Sequence, residues 1–209
     1  ISVPGVHSDI GGGYRDEVEE CVLVSPMQAL TVQAGTDIRT TSIYRDAESK
    51  KANWIAGGWP DAMLEIVTPP PTPLVTMGEI AGFKEVRAYA GLQLKRPVSG
   101  KLSVVYLRLM HKLAKERGVL FIDVPMTSRY AVPQELQALC DRLLGGNYDV
   151  TPAEQGLLKL RYIHMSANWS NPLGSNPERG VNLRYTNAPT HDGVRVRHPH
   201  VPDSSWRTF

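Results

Sequence analysis

The sequence predicts an α/β fold in which helices alternate with extended segments. Three stretches carry that prediction. KLSVVYLRLMHKLAKERG, 101–118, places Leu102, Val105, Leu109, Leu113 and Ala114 at helical spacing. VLFIDV, 119–124, follows at once as a short strand or extended segment. Residues 1–8, which take in the start of VPGVHSDIGGGY, 3–14, read as the end of a strand that runs into a loop.

The other elements follow in chain order. CVLVSPMQALTVQ, 21–33, is ambiguous between strand and short helix, with Pro26 inside an apolar run. Residues 34–62 are polar and irregular, with Gly57-Gly58 and Pro60 as turn markers. TPPPTPL, 68–74, excludes helix interior and central strand and reads as a polyproline-like surface connection. On these grounds 34–98 reads either as an insertion or lid or as a plain long loop excursion. In the long helix Tyr106 and Met110 widen the apolar stripe, which is a core-packing face, and Gly118 closes it. A second helix spans 133–144, with Pro133 in its first turn, Leu136, Leu139, Cys140, Leu143 and Leu144 inward, and Gly145-Gly146 at its end. TPAE at 151 is a helix start: Thr151 caps, Pro152 takes the first position, and Glu154 completes a capping box. LLKLRYIHMS either continues that helix or forms a strand that ends at His164. The tail from 171 is rich in Pro, Asn, Gly and Arg, and its VRVRH, 194–198, suits an edge strand.

Composition narrows the function classes. The chain has 209 residues, 42% of them hydrophobic, enough for a real core in one large domain or two small ones. A net charge of +2 with no Lys/Arg block argues against a nucleic-acid partner. Cys21 and Cys140 make no disulfide framework and no zinc spacing, so both read as buried thiols. No apolar run approaches the ~18 residues of a membrane span. Asp16, Glu17, Glu19 and Glu20 form an acidic cluster without EF-hand order, read as a solvated turn.

The chemistry concentrates at two places. Gly13 is followed by Tyr14 and Arg15, so the glycine run fits neither a Rossmann fingerprint nor a Walker loop. His7 and Asp9 would share one side of a strand as a metal pair, but a third ligand is needed, and His198 and His200 are the remaining candidates. Asp9 has two further roles open to it. It suits the carboxylate that fixes a catalytic histidine's tautomer, and it suits a local cap of the glycine turn. His164 follows RYI and precedes the polar MSANWSN, where a base at a strand end would sit; a packed histidine is the other reading. His111 reads as surface or packing on the long helix. No serine or cysteine lies in a G-x-S-x-G elbow. Trp54, Ile55, Trp59, Met63 and Leu64 suit either an interfacial lid or a satellite core.

PGVHSDIGGGY closely resembles a motif of the type VI secretion lipase effectors, whose catalytic part is α/β-hydrolase-like. RYIHMSANW, 161–169, resembles the late histidine motif of that family, and LSVVYLRLMHKLAKERGVLF, 102–121, the helix and following segment between the two. The resemblance implies that Asp9 is the triad acid and His164 the base, with an elbow serine upstream of this chain. It departs from the family pattern at Met165, where many relatives carry an acidic residue. The fold it implies is the C-terminal portion of an α/β-hydrolase-like domain: a hydrolase segment with the acid-bearing loop at 1–33, the lid-like region at 34–98, helices and the base-bearing segment at 99–170, and a polar tail at 171–209. It implies a phospholipase injected into a competitor bacterium, with the periplasm as its site of action, needing no cofactor and no metal. Its partners would be the phospholipid membrane surface, the N-terminal part of the same protein, an immunity protein and a secretion spike protein. The competing expectation is a non-catalytic module that docks on the spike or immunity protein.

Overall fold

A computed structural model describes residues 3–74 and 84–170, with two short strand pieces at 172–173 and 184–185. The expected strand at 194–198, His191, His198, His200 and nearly all of the tail lie outside the described residues. The architecture is mixed α/β: a twisted antiparallel sheet joined to a cluster of helices.

One strand organises the sheet. β5, Glu85–Val98, pairs antiparallel with β1, Val18–Leu23, and β2, Gln28–Gln33, and also with β3, Leu64–Val67, and β4, Thr72–Pro73. Leu94 pairs with both Val22 and Leu64, and Arg87 with both Thr31 and Thr72, so β5 has a neighbour along each edge. The alternation of β5 explains its place: Ala88, Ala90, Leu92, Leu94, Arg96 and Val98 fall on one buried face. Where the register shifts between β1 and β2, the amides of Val24 and Ser25 both donate to the Leu92 carbonyl. The ambiguous 21–33 therefore contributes to two strands, and Pro26 sits in the break between them.

The stretch expected to be irregular, 34–62, contains a helix, α2, Ser42–Ala56. Thr41 caps it by accepting from the Tyr44 amide, and only Ile43 and Ala47 are buried along it. So thin an apolar stripe leaves little periodicity to read. The three prolines 69–71 bridge β3 and β4 along β5.

Three helices build the larger core. α3, Leu102–Glu116, α4, Gln137–Leu144, and α5, Pro152–Arg161, bury Leu102, Val105, Tyr106, Leu109, Leu136, Leu139, Cys140, Leu143, Leu158 and Tyr162 against one another. Met110 was expected to widen this stripe but faces solvent, one step around α3 from the buried side. Residues 119–124 form no strand. Cys140 is buried as expected, whereas Cys21 is exposed on the outer face of β1. A second core joins Trp59, Leu64, Leu92 and Leu94, with Trp54, Met63, Leu160 and Met165 packed against it. Four of the five residues that suited a lid or satellite core thus pack on the sheet, and Ile55 is exposed. α5 serves both cores, with Leu158 and Tyr162 turned to the helices and Leu160 to the sheet.

The α5 start has the expected capping box. The Thr151 amide donates to Glu154 Oε2 at 2.8 Å, and the Glu154 amide donates to Thr151 Oγ1 at 3.3 Å. Arg142 also donates to this carboxylate. That bond, then those from Thr151, holds the Glu154 carboxyl at about 2. A depressed carboxyl stabilises the fold above its unfolded value and loses that contribution as pH falls through the folded one. Glu154→Gln is expected to cost about 1 kcal/mol at pH 7. Urea denaturation of both proteins should show this deficit shrinking from about pH 5 toward pH 2. A deficit independent of pH would contradict the assignment.

Candidate active site

Asp9 lies in a single helical turn, α1, His7–Gly11, rather than in an open loop. Gly12 ends the turn with φ +78°, the left-handed conformation that glycine adopts without a Cβ penalty. Its amide donates to the Ser8 carbonyl at 3.1 Å. The carboxylate of Asp9 is fully buried. Oδ2 accepts from the Val6 amide at 2.9 Å, which closes the turn locally. Oδ1 lies 2.7 Å from Nδ1 of His164, 155 residues away. The local cap and the histidine contact, read from sequence as alternatives, coexist on the two oxygens of one side chain.

His164 does not end a strand. α5 continues to Arg161, and the chain turns there, with the Ile163 amide donating to the Leu158 carbonyl at 2.8 Å. His164 follows in the loop and is buried. A carboxylate only accepts hydrogen bonds, so the Asp9 contact places the proton on Nδ1 and leaves Nε2 of the neutral ring as the acceptor. Nε2 is buried and has no hydrogen-bond partner among the described residues. The His164 amide approaches both Asp9 oxygens, at 3.4 and 3.3 Å.

Two features around the pair were not read from the sequence. Tyr14, directly after the glycine run, stacks on the imidazole with ring centroids 3.5 Å apart and planes 12° from parallel. The strand-to-helix junction holds the Tyr14 loop close: the Gly100 amide donates to the Arg15 carbonyl at 3.0 Å. A Cβ on Gly100 would sit 2.5 Å from that same oxygen, so only glycine permits the approach. On the other side of Asp9, the Tyr106 hydroxyl donates to the Pro4 carbonyl. Burial, then the charge of Asp9, pushes the Tyr106 phenol well above its ordinary range and keeps it a donor.

The second feature is a buried ion pair. Glu20 and Arg96 face each other across β1 and β5, and Arg96 Nη2 lies 2.7 Å from Glu20 Oε2. The guanidinium also donates to the Lys159 carbonyl, and to the Ile163 carbonyl at 2.6 Å. Glu20 Oε1 accepts from the Met165 amide at 2.6 Å. The pair thus grips the backbone immediately before and after His164. Glu20, read as part of a solvated acidic turn, is buried in β1; its neighbours Glu17 and Glu19 are exposed. The only signal available was the even-numbered spacing of Glu20 with Val22 and Val24, which puts all three on one strand face.

His7 is exposed while Asp9 is buried, because residues two apart diverge on a helical turn. They form no metal pair, and no group of three His, Cys, Asp or Glu residues suited to a metal occurs among the described residues. His111 lies on the α3 surface, with Nε2 2.8 Å from the Ile122 carbonyl. No helix among the described residues is long and apolar enough to cross a membrane.

The arrangement is a mixed α/β frame holding a buried carboxylate on one nitrogen of an imidazole whose other nitrogen is left to accept. Serine-nucleophile hydrolases use this arrangement for general base catalysis. Among solved structures, the chain is similar to that of the Tle1 effector bound to the VgrG spike from the Type 6 secretion system, with a TM-score of 0.72 and 24% sequence identity. The match covers 93% of this chain and 44% of that one, so the chain spans less than half the length of the protein whose fold it shares. That protein is an effector of the Type 6 secretion system. No protein-family model matches the chain, and no curated protein matches it.

Removing Arg96 leaves the Glu20 carboxylate buried without its cation. Arg96→Ala is therefore expected to destabilise the chain by about 3–5 kcal/mol in urea denaturation. A loss below ~1 kcal/mol, the range of an exposed pair, would show that the ion pair is solvated.

Proposed function

We propose that the chain is part of a serine-type lipolytic hydrolase of the type VI secretion effectors, and that Asp9 and His164 are its acid and base. The observation that carries this reading is the buried Asp9–His164 contact, 2.7 Å across 155 residues of sequence, with Nε2 left without a partner among the described residues. The fold shared with the Tle1 effector supports the same class.

In this reading the chain forms the C-terminal portion of an α/β-hydrolase-like domain. The nucleophile comes from residues outside 1–209, since no serine here sits in an elbow. His164 Nε2 takes the proton of the serine hydroxyl as its oxygen attacks a phospholipid ester carbonyl. Asp9 Oδ1 holds Nδ1–H and stabilises the imidazolium that forms. The same proton then goes to the departing alcohol, leaving an acyl-enzyme. Water, activated by Nε2, cleaves the acyl-enzyme and restores the serine. Tyr14 keeps the ring in plane during both transfers, and Glu20 with Arg96 fixes the backbone that carries it. Delivery by the secretion machine would place the enzyme at the membrane of a target bacterium, on its periplasmic side, with an immunity protein in the producing strain.

A second reading is favoured by one observation: the similar effector was solved bound to the VgrG spike. In it, this chain is a spike-docking module and Asp9 only a structural cap.

The two readings part on conservative substitutions in the full-length polypeptide. Asp9→Asn is expected to lower ester hydrolysis of a short-chain phospholipid by about 10⁴-fold, because the imidazole loses its tautomer control. His164→Gln should do so to a similar extent, with labelling by a serine-directed fluorophosphonate reduced in both. Hydrolysis unchanged in both variants would overturn the triad assignment. Spike binding without any ester cleavage in the unaltered protein would favour the docking module.

A further inference from the structure

A ribbon of apolar side chains stands exposed along α3. Residues 119–126 carry Val119, Leu120, Phe121, Ile122 and Met126 on the surface, with Leu120 98% and Ile122 92% exposed. Leu107 and Met110 of α3 extend the same surface. Soluble domains seldom leave so many large apolar groups together in water without a partner. The ribbon is not loose. His111 Nε2 contacts the Ile122 carbonyl at 2.8 Å, Arg108 donates to the Pro125 carbonyl at 2.9 Å, and Lys115 pairs with Asp123 at 2.7 Å. Polar groups of α3 thus hold the ribbon at the Ile122 and Pro125 carbonyls and at the Asp123 side chain, Phe121 stacks on His111 with ring centroids 6.0 Å apart, and Leu120 and Ile122 stand free in solvent.

We propose that this surface is the docking face for the part of the same polypeptide that carries the nucleophile. The proposal rests on the hydrolase reading above. Three observations select that occupant. The first is continuity with the site. Ser103, Leu107 and Met110 follow one another along α3 at helical spacing. The stripe begins at Gly12, three residues beyond Asp9, where a Cβ would lie 3.8 Å from Ser103. The second is charge. Of the basic groups beside the ribbon, Arg108 is engaged on backbone carbonyls, Lys112 with Glu116 at 3.4 Å and Lys115 with Asp123, and Arg117 alone among them has no side-chain partner among the described residues. They leave little for anionic lipid headgroups, which an interfacial loop would recruit. The third is supply. A second copy of this chain has no G-x-S-x-G segment to bring to Nε2. The similar effector, by contrast, has more than half of its length outside the match.

A photo-crosslinking benzoylphenylalanine in place of Leu120 tests this in the full-length polypeptide. That side chain contacts almost nothing within the described residues, so the fold tolerates the change. Irradiation is done with and without phosphatidylglycerol–phosphatidylethanolamine vesicles, after labelling with a fluorophosphonate, and adducts are mapped by mass spectrometry. The expected result is an intramolecular adduct to residues outside 1–209, without vesicles, in a polypeptide whose labelled serine lies in the same outside part. Adducts to a second copy, adducts to lipid alone, or no protein adduct would overturn the docking face. An adduct without any labelled serine would sink the hydrolase reading and the occupant's role with it. A labelled serine without an adduct would sink the docking face alone.

Discussion

The grip of Glu20 and Arg96 on the backbone around His164 is the interaction on which the rest depends. Arg96 lies on the apolar face of β5, in a row with Leu92, Leu94 and Val98. A guanidinium there is costly to desolvate unless each donor finds an acceptor. Glu20 meets Nε and Nη2 across the sheet, and the carbonyls of Lys159 and Ile163 accept from Nη1 and Nη2, so each guanidinium nitrogen has an acceptor. Those carbonyls lie at the end of α5, where carbonyls lack intrahelical partners and cations are favoured. One buried cation therefore joins the sheet to the C-terminal end of α5 and the turn that follows it. The Trp59 ring closes the arrangement, with the Arg96 guanidinium 5.1 Å from its centroid and the Lys159 ammonium 4.9 Å from it on the α5 side.

The division of labour on Asp9 has a similar economy. A one-turn helix has too few bonds of its own to persist in water. The Val6 amide bonded to Oδ2 closes this one, and its packing against α3 supplies the rest. The turn in turn fixes the rotamer that aims Oδ1 at Nδ1. Any change at Asp9 therefore disturbs a helix terminus and an imidazole together, which is why the amide, with one oxygen kept, separates these roles better than alanine does.

The legibility of the sequence followed the strength of its local signals. α3 was readable because its apolar stripe runs over four turns, and the start of α5 because Thr151, Pro152 and Glu154 each favour a helix start. β5 was not readable. Arg96 breaks an apolar alternation at the position where the fold depends on it, and Gly91 and Pro97 imitate loop chemistry. α2 was missed because it buries only two side chains. Glu20 was hidden among three other acidic residues, and only the strand's register distinguishes it. Asp9 and His164 stood out as candidates from their flanking residues, but nothing in local pattern could link them. Their link came from a family resemblance, and the physical bond is tertiary.

The sequence separation of 155 between Asp9 and His164 also sets an order of events. In synthesis from the N-terminus, Asp9 is made first and His164 follows only when nearly all of the described chain exists. At roughly 5–20 residues per second the interval is on the order of ten seconds. α3, at Leu102–Glu116, is made more than halfway through that interval, so only in its last part can α1 pack on α3, still with no imidazole for the carboxylate to accept from. Contacts so distant in sequence form late, since loop closure must precede their reward. The Asp9–His164 contact is therefore among the last features the described chain completes, and a polypeptide stopped short of α5 has the carboxylate without the imidazole that meets it.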